Sequence, residues 1–166
     1  EFESPEVHRI DLAEAVLYLK SGGVDEVRDF RWLDAPEEDS LRRAEDLLKM
    51  LGAVDEEGKL TEIGYSMARY PLHPRAARLL EAAKREGCVA EACFSAAVLQ
   101  GEGVFTRKAT RAQKERFQED GDRSDFELEW RACEVAEGLR FDPVRCGELG
   151  LHASQAREIL QSCQQL

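Results

Sequence analysis

Leu47-Leu-Lys-Met-Leu-Gly-Ala-Val-Asp-Glu-Glu-Gly-Lys-Leu-Thr61 holds the end of one helix, a hairpin and the start of another helix. Before it, Leu41, Ala44, Leu47, Leu48 and Leu51 recur at the spacing of one helical face, with Asp39 or Ser40 placed to cap the first turn. Gly52 closes that helix, because a residue without Cβ enters the left-handed turn that ends helices at little cost. Val54 to Leu60 reads as a short hairpin turning at Glu57-Gly58. Thr61 then caps a helix over about 62–69, and Glu62 sits where the helix dipole favours an acid.

Working outward, Leu12, Val16 and Leu19 predict a helix that Gly22-Gly23 ends. Asp29-Phe-Arg-Trp-Leu-Asp-Ala-Pro36 is irregular. A helix, a second helix with an apolar stripe and a hairpin come in the order of a winged-helix unit, assigned to residues 1–72. Pro71 and Pro74 mark a boundary, and Pro74 suits a first helical turn. From there the chain is nearly all helix, so residues 73–166 are expected to form a helical bundle. Residues 74–86 are expected to bury Ala76, Leu79, Leu80 and Ala83, stopping at Gly87. Residues 88–100, apolar on most sides through Val89, Ala92, Cys93, Ala96, Ala97 and Leu99, belong at the bundle centre. Gly101 and Gly103 break that helix. The turn Gly121-Asp122-Arg123-Ser124-Asp125 offers a cap to a helix over 126–138, whose buried face is expected at Phe126, Trp130 and Cys133. Asp142-Pro143 starts a short helix, and Ala153, Ala156, Ile159, Leu160 and Cys163 line the last one. The fold class is therefore mainly α, a winged helix with a small β-hairpin wing followed by a helical bundle.

Composition removes several function classes. With 43% hydrophobic and 34% charged residues the chain can bury a core and is expected to be soluble. There is no run of about 18 apolar residues for a membrane span. No basic stretch precedes an apolar one, so a secretory leader is not expected. Cys88, Cys93, Cys133, Cys146 and Cys163 are odd in number and form no CxxC pair, which favours free thiols in a reducing cytosol. His8, His73 and His152 lie far apart, against a zinc site. The net charge of −11 disfavours nucleic acid, but its distribution is uneven. Residues 1–72 carry 9 basic and 18 acidic side chains, residues 73–118 carry 9 and 5, and residues 119–166 carry 5 and 11. A positive middle lies between two negative ends.

Read in order, Phe30-Arg-Trp-Leu-Asp-Ala-Pro36, Leu51-Gly-Ala53, Gly58 to Thr61 and Pro71-Leu-His-Pro-Arg75 resemble the region just after the motor core of DEAH-box helicases. Ser4-Pro-Glu-Val7, Leu12-Ala13, Val16 to Lys20, the turn at 121–125 with Trp130, and Cys146 to Leu151 extend the likeness over nearly the whole chain. The bacterial branch is the more similar. In that family two RecA-like motor domains are followed by a winged helix and then a helical ratchet-like (HA2) bundle lining the single-strand channel. The resemblance implies a non-catalytic accessory region of an ATP-dependent RNA helicase, cut close to the end of the second motor domain and assisting single-strand binding. ATP and Mg would reside in the parent motor domains, with no cofactor here. The implied partners are single-stranded RNA or DNA, the motor domains of the same chain and a protein activator, and the implied location is cytoplasmic. There is no GxxxxGK[ST] loop and no Asp-Glu-Ala-His, so no ATP-handling residue is carried over, and the segment alone is expected to be inactive.

Arg107, Lys108, Arg111, Lys114 and Arg116 are the candidate site. On a helix Arg107, Arg111 and Lys114 would share one face. Such a face either contacts phosphates or is an ordinary solvated surface pairing with acids. Arg75 and Arg78 are placed at the domain junction, where structural ion pairs are the preferred role. Trp32 is expected to wedge the winged helix against a neighbouring domain, and Trp130 to pack in the core. Glu37-Glu-Asp39 and Asp55-Glu-Glu57 are explained by a helix start and a hairpin tip, with no nucleophile or metal ligand nearby. Two other classes compete: a winged-helix nucleic-acid-binding regulator, disfavoured by the acidic wing Asp55 to Lys59, and an acidic protein-interaction scaffold.

Overall fold

In the computed structural model, which describes residues 11–165, helices begin and end where local chemistry provides for their orphan backbone groups. The part of the resemblance at Ser4 to Val7 lies outside the described residues. Nine helices are seen among them: α1 (Ala13–Ser21), α2 (Glu38–Met50), α3 (Glu62–Met67), α4 (Pro74–Glu86), α5 (Val89–Gln100), α6 (Arg111–Glu115), α7 (Asp125–Gly138), α8 (Pro143–Glu148) and α9 (Ala153–Gln165). The fold is mainly α, as the sequence predicts. Two compact units divide after Arg85. The sequence line at 72/73 lies between Pro71 and Pro74; by contacts α4 falls with the first unit.

In the first unit α1 packs on α2 and α3. Leu12, Val16, Leu17, Leu41, Ala44, Leu48 and Met67 are buried there, each large side chain contributing about 1.5–3 kcal/mol on leaving water. The α2 stripe lies where its spacing placed it. Its cap does not: the N-cap is Glu37, no side chain accepts a hydrogen bond there, and Asp39 and Ser40 are already inside the helix. Asp39 turns instead to Arg42, and the Ser40 hydroxyl accepts from Arg43. At the other end Gly52 (φ 70°) donates to the Lys49 carbonyl and Ala53 to that of Leu48, the paired bonds of a Schellman turn. α1 ends the same way at Gly23.

The wing is a single antiparallel bridge between Val54 and Leu60. Asp55 closes it twice, its carbonyl accepting from Gly58 N–H and its carboxylate from Lys59 N–H at 2.8 Å. Lys20 reaches across from α1. Its Nζ, on a residue only 8% exposed, donates to the carbonyls of Asp25 (2.7 Å) and Gly58 (2.9 Å). Thr61 caps α3 by accepting from Gly64 N–H, and its hydroxyl donates to the Gly52 carbonyl at 2.7 Å. α4 joins this unit through Arg78, whose Nε donates to the Leu51 carbonyl at the end of α2. Glu81 adds to the joint, accepting from Ser66 and Tyr70 hydroxyls and from Lys84. Leu79, expected in the core, is 38% exposed, while Ala77 is buried in its place. The inward face of α4 therefore runs Ala76, Ala77, Leu80, Ala83.

In the second unit α9 packs on α5, α7 and α8. Phe94, Val104, Ala132, Cys133, Ala136, Cys146, Leu151, Ala156 and Ile159 form its core. α5 is not wrapped on all sides as its composition predicts. Val89 and Leu99 are 40% and 63% exposed, because the α5 positions that meet its neighbours are Ala92, Cys93, Phe94, Ala96 and Ala97. On α7 the small residues Ala132, Cys133 and Ala136 take the buried positions, and Phe126 and Trp130 are half-buried. Trp130 packs on Phe94 with ring centroids 4.8 Å apart. α7 ends in a Schellman turn without glycine: Arg140 and Phe141 take φ 54° and 55°, and Phe141 N–H bonds the Ala136 carbonyl. Burial pushes the Cys133 thiol up to about 12. No helix among the described residues is long and apolar enough to cross a membrane.

Candidate nucleic-acid interface

The cationic stretch is held by a clasp between two loops. Phe105 and Leu151 form an antiparallel bridge, with Thr106 N–H bonding the Gly150 carbonyl at 2.9 Å and His152 N–H bonding that of Val104 at 2.7 Å. Glu129 on α7 reaches the same loop, its carboxylate accepting from Val104 N–H at 2.7 Å. Burial raises the Glu129 carboxyl above the usual range, against the lowering pull of that N–H and of Lys114.

α6 follows. Thr110 and Gln113 make a reciprocal capping box, the threonine hydroxyl accepting from Gln113 N–H and the glutamine oxygen from Thr110 N–H. The Gln113 amide also donates to the Glu148 carbonyl at 3.1 Å, fastening α6 to the end of α8. Gly150 (φ 78°) lets this happen: a Cβ there would stand 3.0–3.1 Å from Gln113 and Ala109.

The capping box corrects one expectation. Helix starts at Arg111, so Arg107 and Lys108 lie in the preceding turn, where Ala109 N–H bonds the Thr106 carbonyl. Arg107 does not share a helical face with Arg111 and Lys114. Instead the four cations border two hollows. Arg111 and Lys114 line one with Arg123, and Arg107 and Lys108 line the other with His152. Phe105 lines both, its ring 5.6 Å from Phe117 and 5.5 Å from the Lys114 ammonium. The sequence reading missed Phe105; its signal was an aromatic residue two positions before a cation run.

The carboxylates nearby hold these cations loosely. Arg107 meets Glu102 at 2.8 Å and Arg111 meets Glu115 at 2.6 Å, yet the two arginine side chains remain 87% and 91% exposed. Exposed pairs of this kind contribute about 0–1 kcal/mol. A phosphate can replace the carboxylate at small cost. Lys108 and Arg116 are exposed, the latter beside Phe117 and Glu119 over a separate depression. Glu115, Asp122, Asp125 and Glu129 also border the first hollow, so its field is mixed rather than uniformly positive.

Arg78 makes the carbonyl bond described above rather than an ion pair, since the α2 terminus offers an unpaired acceptor at that point. Arg75 is exposed. Its neighbour His73 faces Asp11 at 3.1 Å. Trp32 is half-buried, its indole N–H donating to the Val27 carbonyl at 2.9 Å and its ring meeting Phe30 edge-on at 5.2 Å. It braces its own loop. Arg131 was not singled out from sequence, yet it fixes the segment after α6: Nε donates to the Phe117 carbonyl, and the guanidinium pairs with Asp122. Among the described residues no group of three or more His, Cys, Asp or Glu side chains is placed to hold a metal.

Comparison with protein families adds one finding. Residues 44–72 match the family model described as Helicase associated domain (HA2), winged-helix. The match begins within α2 and takes in the wing, α3 and the approach to α4. That segment is similar to a helicase-associated winged-helix element.

Proposed function

We propose that this chain is a C-terminal accessory region of an ATP-dependent, DEAH-box RNA helicase, gripping single-stranded RNA through its second unit. The observation that carries the reading is Phe105 standing between two pairs of exposed cations. A half-buried ring gives one base a stacking surface, which is sequence-tolerant because every base has a π-face. Arg107 and Lys108 on one side, and Arg111 and Lys114 on the other, meet the flanking phosphates. The helicase-associated match at 44–72 supports the same assignment. ATP, Mg and the chemistry belong to RecA-like motor domains of the parent chain, in the cytoplasm. The first unit would couple the bundle to those domains.

The regulator reading is the weaker one. Glu56 and Glu57 are exposed at the wing tip, where a duplex-binding wing meets phosphate. The test is Arg107→Glu, Lys108→Glu and Arg111→Glu together in the full-length helicase, assayed by single-strand affinity against salt concentration. The wild type loses affinity with salt as counterions return, by a slope of about 0.7 per phosphate neutralised on a single strand. The variant should bind more weakly, with a slope smaller by about 2. Equal affinity and equal slope at low salt refute the contact.

A further inference from the structure

α5 and α7 pack side by side in the second unit, and near their N-terminal halves they leave a hollow of about 330 Å³. Phe94 is its floor, only 2% exposed, and Phe126 and Trp130, one turn apart on α7, line it. The Trp130 ring is fixed in place by its N–H bond to Glu134 at 2.9 Å and by its tilt of 58° against Phe94. Two exposed carboxylates, Glu91 and Glu127, stand at the edge. None of Arg107, Lys108, Arg111 or Lys114 lines it.

The charge around this hollow is one-sided. Glu91 is the only ionisable acid or base of α5 apart from its cysteine, and α7 carries five acids against the single base Arg131. Arg131 is already engaged by the Phe117 carbonyl, Asp122 and Glu119, with its side chain 24% exposed. Phosphate is repelled here. A neutral apolar ligand would leave the carboxylates without a role. An arginine side chain uses both parts, its stem and planar head lying on aromatic rings and its charge meeting carboxylates.

The geometry points to a docking site on the α5–α7 face for a basic, arginine-bearing segment of a partner protein, one arginine entering the Phe94–Phe126–Trp130 hollow between Glu91 and Glu127. This stands independently of strand gripping, since the sign of charge is opposite and the cations of that site take no part. Such a segment would add a positive strand or coil to a face of the bundle that nucleic acid avoids.

The test uses the whole chain and a fluorescein-labelled peptide of alternating arginine and glycine, followed by anisotropy. Its neutral citrulline twin serves as the comparison. Glu91→Lys with Glu127→Lys should weaken the arginine peptide about tenfold or more, the scale of coupling between close charge pairs across an interface. Glu56→Lys with Glu57→Lys changes net charge by the same amount at the wing, on residues that do not line the hollow, and should shift affinity by less than about twofold, the share left to bulk charge once salt screens it. Circular dichroism confirms that both variants fold; the substituted residues are exposed in each. Equal weakening by the two variants reduces the effect to bulk charge and overturns the site. So does equal binding of the citrulline peptide, or no binding at all. Displacement of the peptide by an oligouridine strand reassigns the hollow to nucleic acid, and a dimer lost in the Glu91/Glu127 variant reassigns it to a second copy; either result overturns the proposal.

Discussion

Gly64 is the position where a single methyl group should do most damage. It lies in α3 with ordinary helical backbone, and a Cβ there would stand 2.0 Å from the Ala53 carbonyl oxygen and 2.9 Å from its carbon. Both opposing atoms are backbone, so no rotamer change relieves the clash. α3 must move off the α2–wing connection by about 1 Å to restore contact distance. That displacement stretches two bonds across the joint, Thr61 N–H to the Ala53 carbonyl (3.0 Å) and the Thr61 hydroxyl to the Gly52 carbonyl (2.7 Å). Overpacking of this kind costs about 1–3 kcal/mol, and two weakened hydrogen bonds about 1–2 kcal/mol more. Alanine returns about 1 kcal/mol through helix propensity. Gly64→Ala should therefore destabilise by about 3 kcal/mol, read as a lowered urea midpoint followed by far-UV circular dichroism. Gly138→Ala is the matched control: it ends α7 with nothing within 4 Å of its Cβ and should be neutral or slightly stabilising. An unchanged or raised midpoint for Gly64→Ala refutes the close approach, because propensity alone gives that sign.

Two other substitutions and one pH series extend the same reasoning. Arg140→Gly relieves a left-handed residue at the end of α7 (φ 54°) and should stabilise by about 0.5–1 kcal/mol, with thermal melting as the measure; a loss would mean the turn depends on the arginine side chain. For Glu81, burial raises the carboxyl, but bonds from Lys84, Ser66 and Tyr70 outweigh it and leave the pKa below the ordinary 4.5. Its contribution to stability is thus complete above 4.5 and falls away as pH drops through the folded value. Glu81→Gln should cost about 1–2 kcal/mol at pH 7, where charged hydrogen bonds give way to neutral ones, and little once the wild-type carboxyl is protonated. A cost independent of pH would remove the carboxylate from the explanation.

Features set by neighbours in sequence were legible from the residues alone. Thr61, Gly52, Gly87 and Pro74 act where they were read, because capping and turn chemistry operate over a few positions. The α2 stripe was legible for the same reason. The start of α6 is also written locally, in the Thr110 to Gln113 box, whereas charge spacing alone carries no signal of where a helix begins. What escaped was long-range. Nothing near Lys20 in sequence announces Gly58, and nothing near Gly64 announces Ala53. Glu129 and Arg131 carry no local mark of the loops they hold, whose bonded groups at Val104 and Phe117 lie 25 and 14 positions away. Leu79, Val89 and Leu99 failed for a complementary reason: hydropathy says which residues prefer burial, while neighbours decide which faces have room.

The Lys20 ammonium gives the first unit a mechanical character. It rivets the tip of the wing to the last turn of α1, so a force applied at Gly58 is felt there rather than absorbed by a swinging flap. Replacing that rivet by a methionine of similar length would leave the two carbonyls to water and let the wing nod on its own. Trypsin, blind to a lysine so enclosed in the intact chain, would still meet the exposed Arg28 and Arg31 further along.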